Sequence, residues 1–217
     1  MPDDDLLSAR ILDAAADQLQ RYGYTKTTLD AVARAAGVAK GTLYLRWRSR
    51  EDLFVAALRR ERAAMQADVR AELAGVECAD LRLLIAGMVR AYRRRTLVSA
   101  LVLRDSEVLG SLARTADDHG LTGTGFVGYL MALRAQGLID TERSLAEQVT
   151  VVSAAFLGYF LTAPMIPPSL QIDESAAEVV AETIHRMLVR REPLTPTEEA
   201  ALDAATRAYA TPEEDLP

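Results

Sequence analysis

Apolar residues along this chain recur at helical rather than strand spacing. From Leu6 to Tyr22 they fall at Leu7, Ile11, Ala14, Ala15, Leu19 and Tyr22. The acidic run Asp3-Asp4-Asp5 stands at the positive end of that helix, and Gly23 supplies a stop. Thr27 and Asp30 stand in the T-x-x-D relation of a capping box, which predicts a short helix through Leu29, Val32 and Ala33. Gly37 interrupts it, and a second short segment follows from about Ala39 to Leu45. Ser49 and Asp52 repeat the capping relation. They open a long helix whose apolar positions Leu53, Phe54, Ala57, Leu58, Met65, Val69 and Leu73 carry it to Gly75, a reach of roughly 35 Å at 1.5 Å per residue.

Beyond a break at Gly75–Asp80, the stripe Leu81, Leu84, Ile85, Met88, Val89 and Tyr92 begins a helical body, with Arg82, Arg90 and Arg93 on other faces. A turn-rich stretch from Thr115 to Gly125 leads to a helix over Phe126–Gln136, which Gly137 ends, with Leu138 set for a C-cap contact. Two longer helices follow, about Ser144–Ala163 and Glu174–Arg191, split by Pro164 and Pro167-Pro168. Their apolar content suits a paired bundle. The tail carries one amphipathic segment, Thr197–Tyr209, before an acidic end. The pattern is all-α: an N-terminal three-helix helix-turn-helix domain plus a helical C-terminal domain. The expected division is 1–50, 51–192 and a tail of 193–217.

Composition changes this picture in three ways. The most apolar stretch, Val149–Met165, counts as shorter than the ~20 residues of a membrane span and holds Thr150, Ser153, Gly158 and Thr162, so it reads as a buried helix. No membrane association is expected. The lone Cys78 cannot form an internal disulfide and reads as a small semi-buried residue. Together with an acidic N-terminus unlike an export signal, it fits a reducing, cytoplasmic setting. Finally, the net charge of −6 hides an asymmetry: residues 20–60 carry nine basic side chains against three acidic ones, while everything after residue 60 sums to −8. A basic module on an acidic body is the arrangement of a protein that docks one face on phosphates.

The chemistry concentrates in Thr27–Trp47, two short helices around a Gly-containing turn. Gly37 permits a positive φ where the chain reverses, and Leu29, Val32, Ala33, Val38 and Leu43 form a small apolar wedge. The second helix then offers Lys40, Gly41, Thr42, Tyr44 and Leu45 near its N-terminus, the end such helices push into the major groove. Gly41 lets a phosphate approach the backbone. Lys40, Thr42 and Tyr44 can donate to phosphate oxygens or base edges.

The run Gly37-Val38-Ala39-Lys40-Gly41-Thr42-Leu43-Tyr44, followed by an aromatic and an Arg-Glu-Asp-Leu helix start, resembles the DNA-binding domain of tetracycline-repressor (TetR) type regulators over about residues 8–58. The resemblance implies a homodimeric repressor of double-stranded DNA. Its paired domains would bind a palindromic operator, and its helical C-terminal domain would dimerise and take a small-molecule effector. It also implies that Thr28, Lys40, Thr42, Tyr44 and Arg50 fall at DNA-contacting positions; Thr27, Gly41, Leu45, Arg46 and Arg48 complete the candidate interface. Three departures stand out. Ala39 replaces a capping Ser, Leu45-Arg46-Trp47 replaces the more usual aromatic pair, and Leu45 is suited to a thymine methyl. Trp47 is expected to plug the small domain's core.

For an apolar effector the candidate lining is Met88, Tyr92, Leu103, Phe126, Tyr129, Leu130, Phe156 and Phe160, although aromatics at helical spacing are first of all core. Arg93-Arg94-Arg95 reads as a solvated or dimer-facing surface. His119 and His185 have no partner at catalytic or metal spacing. The sequence offers no Glu-x-x-His pair, nucleophile elbow or phosphate loop, so neither an enzyme nor a cofactor or metal requirement is expected.

Overall fold

The computed structural model describes residues 2–116, 118, 125–173, 175–190 and 192–211. Among them there are helices and turns but no strand. The chain divides into two compact units, one of residues 1–64 with 95–122 and one of residues 65–94 with 123–217. These units divide the chain at other places than the expected residues 50 and 192. A single helix, Arg50–Ala74, contributes residues to both, and the tail packs as part of the second unit.

The first unit contains α1 (Pro2–Lys26), α2 (Leu29–Ala36), α3 (Lys40–Tyr44), the start of α4 (Arg50–Ala74), and three short helices, α6 (Thr96–Val102), α7 (Ser106–Leu109) and α8 (Leu112–Thr115). The sequence pattern did not announce these last three. Helical backbone in α1 breaks at the expected glycine: Gly23 has φ 72° and ψ 163°. That glycine is required twice over, because a Cβ there would also lie 2.6 Å from the Glu107 carbonyl oxygen of α7. Ile11, Leu19, Leu43, Leu53, Phe54, Leu58 and Leu109 are wholly buried in one cluster, with Trp47 partly buried against it. Trp47 therefore flanks the core instead of plugging it. Tyr24 meets Phe54 edge-on at 5.4 Å.

The second unit holds the end of α4 together with α5 (Leu81–Arg94), α9 (Gly125–Ala135), α10 (Leu145–Thr162), α11 (Ala176–Leu188) and α12 (Pro196–Ala210). Its central pairing sets α5, through Leu84, Ile85 and Val89, with α11, through Val180, Ile184 and Leu188. Capping boxes open α10 (Ser144 with Glu147) and α12 (Thr195 with Glu198), each satisfying two otherwise orphan backbone donors. Gly137, at φ 66°, ends α9 as expected, with Leu138 N–H reaching the Leu133 carbonyl at 2.9 Å. The tail helix closes the turn after α4. Arg207 donates to the carbonyls of Leu73 (2.7 Å) and Val76 (3.0 Å), while Asp203 accepts from Ala79 N–H at 2.6 Å.

Two expectations need correcting. Cys78 is exposed, not semi-buried. More consequentially, α10 is not a buried helix: of its residues only Gln148, Val152 and Phe156 are buried, and Leu161 is 56% exposed. With the 3-10 turn that follows it, Ala163–Met165, included, Leu145–Met165 is 21 residues, long and apolar enough on length and composition to cross a bilayer. An apolar period alone cannot separate a buried core helix from one that keeps an outer face open. His119 and most of the expected turn-rich stretch lie outside the described residues.

Candidate nucleic-acid interface

The geometry of the helix-turn-helix follows from three local devices. Thr28 has extended backbone, and its hydroxyl accepts from Ala31 N–H at 3.2 Å, so it caps α2. The capping position is thus one residue later than the spacing of Thr27 and Asp30 predicted. Gly37 is left-handed (φ 66°, ψ 37°), and Val38 N–H closes the turn on the Ala33 carbonyl at 2.9 Å. Ala39 starts α3 with no side-chain cap, as its methyl dictates. Leu43, 1% exposed, then anchors this five-residue helix to the core.

With Leu43 inward, the opposite face of α3 is open. Lys40, Gly41, Tyr44 and Leu45 are exposed and Thr42 is half-buried; Leu45 reaches 88% exposure. A Cβ on Gly41 would touch nothing within 4 Å. Nothing inside the chain therefore demands glycine there, although glycine in a helix costs about 1 kcal/mol against alanine. Lys40 Nζ lies 2.8 Å from Asp30 Oδ2, and this hydrogen bond raises the lysine's pKa. Asp30, expected only as a capping residue, is the partner that sequence spacing missed. Thr28 and Arg48 are also exposed.

Three candidates turn inward instead. Thr27 is 2% exposed, and its hydroxyl is shared between the carbonyls of Gly23 (2.8 Å) and Gln18 (3.0 Å), which closes the break in α1. Arg50 donates to the carbonyls of Tyr24 and Thr27, the latter at 3.0 Å, and its guanidinium lies 3.8 Å from the Tyr24 ring centroid. Arg46 donates to Ser8 Oγ at 2.8 Å and pairs with Asp4, whose carboxyl this contact holds below its usual range. Thr27 is removed from the interface. Arg46 and Arg50 tie α1 and the turn after it to the segment behind α3 and to the start of α4.

The effector candidates do not form one group. Tyr92 meets Phe156 at 5.4 Å and Phe160 at 5.9 Å; separately, Phe126 and Tyr129 pack on Tyr209 of the tail helix at 6.0 and 5.2 Å. Tyr129 and Thr206 share a buried hydrogen bond of 2.8 Å, and burial pushes the phenol up to about 12. Met88 and Leu130 are core residues of the second unit. Leu103 belongs to the first unit and so falls outside both aromatic groups. Tyr209 was missed because the tail was set apart.

A family model described as bacterial regulatory proteins, tetR family, matches residues 11–57. Among curated proteins, the chain is 34% identical over 136 residues to the HTH-type transcriptional repressor KstR of Mycolicibacterium smegmatis, covering 61% of this chain and 63% of that protein. It is 46% identical over 44 residues to the uncharacterized HTH-type transcriptional regulator YhgD of Bacillus subtilis, covering 20% and 23%. These matches span less than two thirds of either relative. The fold is shared with solved structures. FadR from Bacillus subtilis, in complex with stearoyl-CoA, superposes with a TM-score of 0.62 at 19% identity over 81% of this chain and 96% of that one. The TetR-family regulator HI0893 from Haemophilus influenzae gives 0.61 at 16% identity over 88% and 100%. Residues 11–57, the helix-turn-helix and its flanking helices, thus match the tetR family of bacterial regulatory proteins, and the helical fold of the chain is the one found in solved transcriptional regulators.

Proposed function

We propose that this chain is a cytoplasmic, one-component transcriptional repressor that inserts α3 into the major groove of an operator. The observation carrying this reading is the outward face of α3. Lys40, Thr42 and Tyr44 supply donors, Leu45 an apolar tip and Gly41 a gap without a side chain, all held against a fixed core by the Gly37 turn. The repressor KstR is among the relatives. A promoter fragment from beside the gene, titrated by fluorescence anisotropy, tests it. Nanomolar, salt-dependent and sequence-selective binding is expected, whereas affinity independent of salt would overturn it.

The dimer belongs to the same proposal. One short recognition helix contacts too few base pairs for selectivity, whereas two related by a two-fold axis read half-sites about one helical turn apart, hence a palindrome. The exposed apolar side chains of α10 and α11, Leu161 and Val179 among them, support these helices as the self-complementary surface, forming a four-helix interface. Sedimentation velocity should give a dimer.

Release by an apolar small molecule completes the reading. The aromatic group of Tyr92, Phe156 and Phe160 is its proposed seat, with ring packing that opens to admit the ligand. Bacillus subtilis FadR, of the same fold, holds stearoyl-CoA, so the fold accommodates a long apolar chain. A thermal-shift screen of fatty acids and acyl-CoA thioesters tests this. A stabilising ligand should lower operator affinity by the same coupling factor that operator lowers ligand affinity.

A further inference from the structure

At the last turn of α5, Arg90, Arg93 and Arg94 line a shallow, open surface pocket of about 300 Å³. Two of them hold one carboxylate of α4. Arg90 reaches Glu72 Oε2 through Nη2 (2.6 Å) and Nε (3.0 Å), and Arg94 Nη2 reaches Oε1 at 2.7 Å. Gly87 makes room for this, since a Cβ there would lie 3.3 Å from Glu72 Oε2. Arg90 Nη1 also meets Glu178 Oε1 at 2.7 Å, and Arg93 binds the carboxylate and carbonyl of Asp173.

Exposure separates these partners. Glu178 and Asp173 are 58% and 80% exposed, so water competes for their arginines and both can swing aside at little cost. Glu72 is 28% exposed and doubly held. Although partial burial pushes its carboxyl up, the hydrogen bonds from Arg90 and Arg94 outweigh that and hold it below its usual range. Each guanidinium carries five N–H donors in a planar fork, the geometry that matches phosphate oxygens two at a time. Three such forks converge on one pocket, and each already faces a carboxylate, so an oxyanion entering there competes with Glu72, Glu178 and Asp173 for the same donors.

We propose that this surface pocket binds a phosphate-type oxyanion in competition with Glu72 for Arg90 and Arg94. Occupancy loosens the tie between α4 and α5 that Glu72 makes. The group arrives either as a free anion or as part of a larger ligand. Isothermal titration calorimetry on the full-length protein, at ionic strength fixed with sodium chloride, uses inorganic phosphate, pyrophosphate and coenzyme A as probes. Saturable binding is expected. It should weaken at least about tenfold in the Arg93→Ala/Arg94→Ala variant, with Arg93→Ala alone as a milder one, and tighten several-fold in Glu72→Gln. Coenzyme A binding more tightly than pyrophosphate marks a larger ligand's head group, and the reverse marks a free anion. Equal affinity in the arginine variants, no tightening in Glu72→Gln, or no heat from any probe overturns the proposal, provided circular dichroism reports intact helices. No DNA is present, so this result and the reading of α3 stand or fall separately.

Discussion

Helices α3 and α10 form an instructive pair. The first is five residues long, uncapped, and anchored by a single buried leucine; the second is eighteen residues long, opened by a full capping box, and for the most part only half-buried or exposed. Yet each leaves outward what its proposed partner needs. On α3 that is lysine, threonine, tyrosine and a glycine gap, chemistry suited to a polyanion. On α10 it is Leu161 together with half-buried apolar side chains such as Val149 and Leu157, suited to a second apolar helix face. Local helix stability and functional exposure are therefore independent here. The helix expected to carry recognition has the weaker intrinsic claim to be a helix at all, and borrows its shape from the core beneath it.

Substitutions can break this contrast, beginning with the core beneath α3. Phe54→Ala empties a wholly buried site in the first unit and is expected to cost about 3–5 kcal/mol, read as a lowered urea midpoint. Operator binding should disappear with it. Leu161→Glu leaves the monomer's core alone but buries a charge in the proposed interface, so sedimentation should shift from dimer to monomer. A dimer surviving unchanged removes α10 from the interface. Lys40→Ala should weaken operator binding and reduce the slope of log affinity against log salt by about 1. Asp30→Asn tests the same lysine with opposite sign. It frees Lys40 from its exposed carboxylate partner, and affinity should rise by a small factor, about two- to fivefold.

The smallest effect concerns pH and lies in the second unit. Partial burial and the nearby Arg82 charge lower the pKa of His185 from 6.5, against the opposing pull of Asp80 and Glu182. The folded state thus disfavours its proton. The stability that a neutral His185 contributes is present above pH 6.5 and is lost as pH falls through the lowered value. Urea midpoints between pH 7.5 and 5.5 should decline modestly, and His185→Gln should flatten the decline.

What could be read from the sequence follows the range of the forces involved. The Gly37 turn and the Gly137 stop each depend on neighbours a few residues away, and both were legible. The cap of α2 was misplaced by one residue because two adjacent threonines compete, and only the fold shows that Thr27 is spent on the break in α1. Arg46 and Arg50 were counted as outward basic charge. Their partners lie 42 and 26 residues back, beyond any local pattern. Helices α6 to α8, of four to seven residues, are too short for an apolar period to register. The exposure of α10 was illegible because apolar side chains turned to a core and apolar side chains left outward have the same spacing.

The missing cap on Ala39 also has a consequence in time. A helix of five residues, lacking a side chain to hold its first amides, opens locally long before the domain unfolds. In hydrogen exchange the α3 amides should lose their protons well ahead of those around Leu53 and Phe54. A bound operator, by laying phosphates over that first turn, should slow α3 by a larger factor than any other segment of the chain.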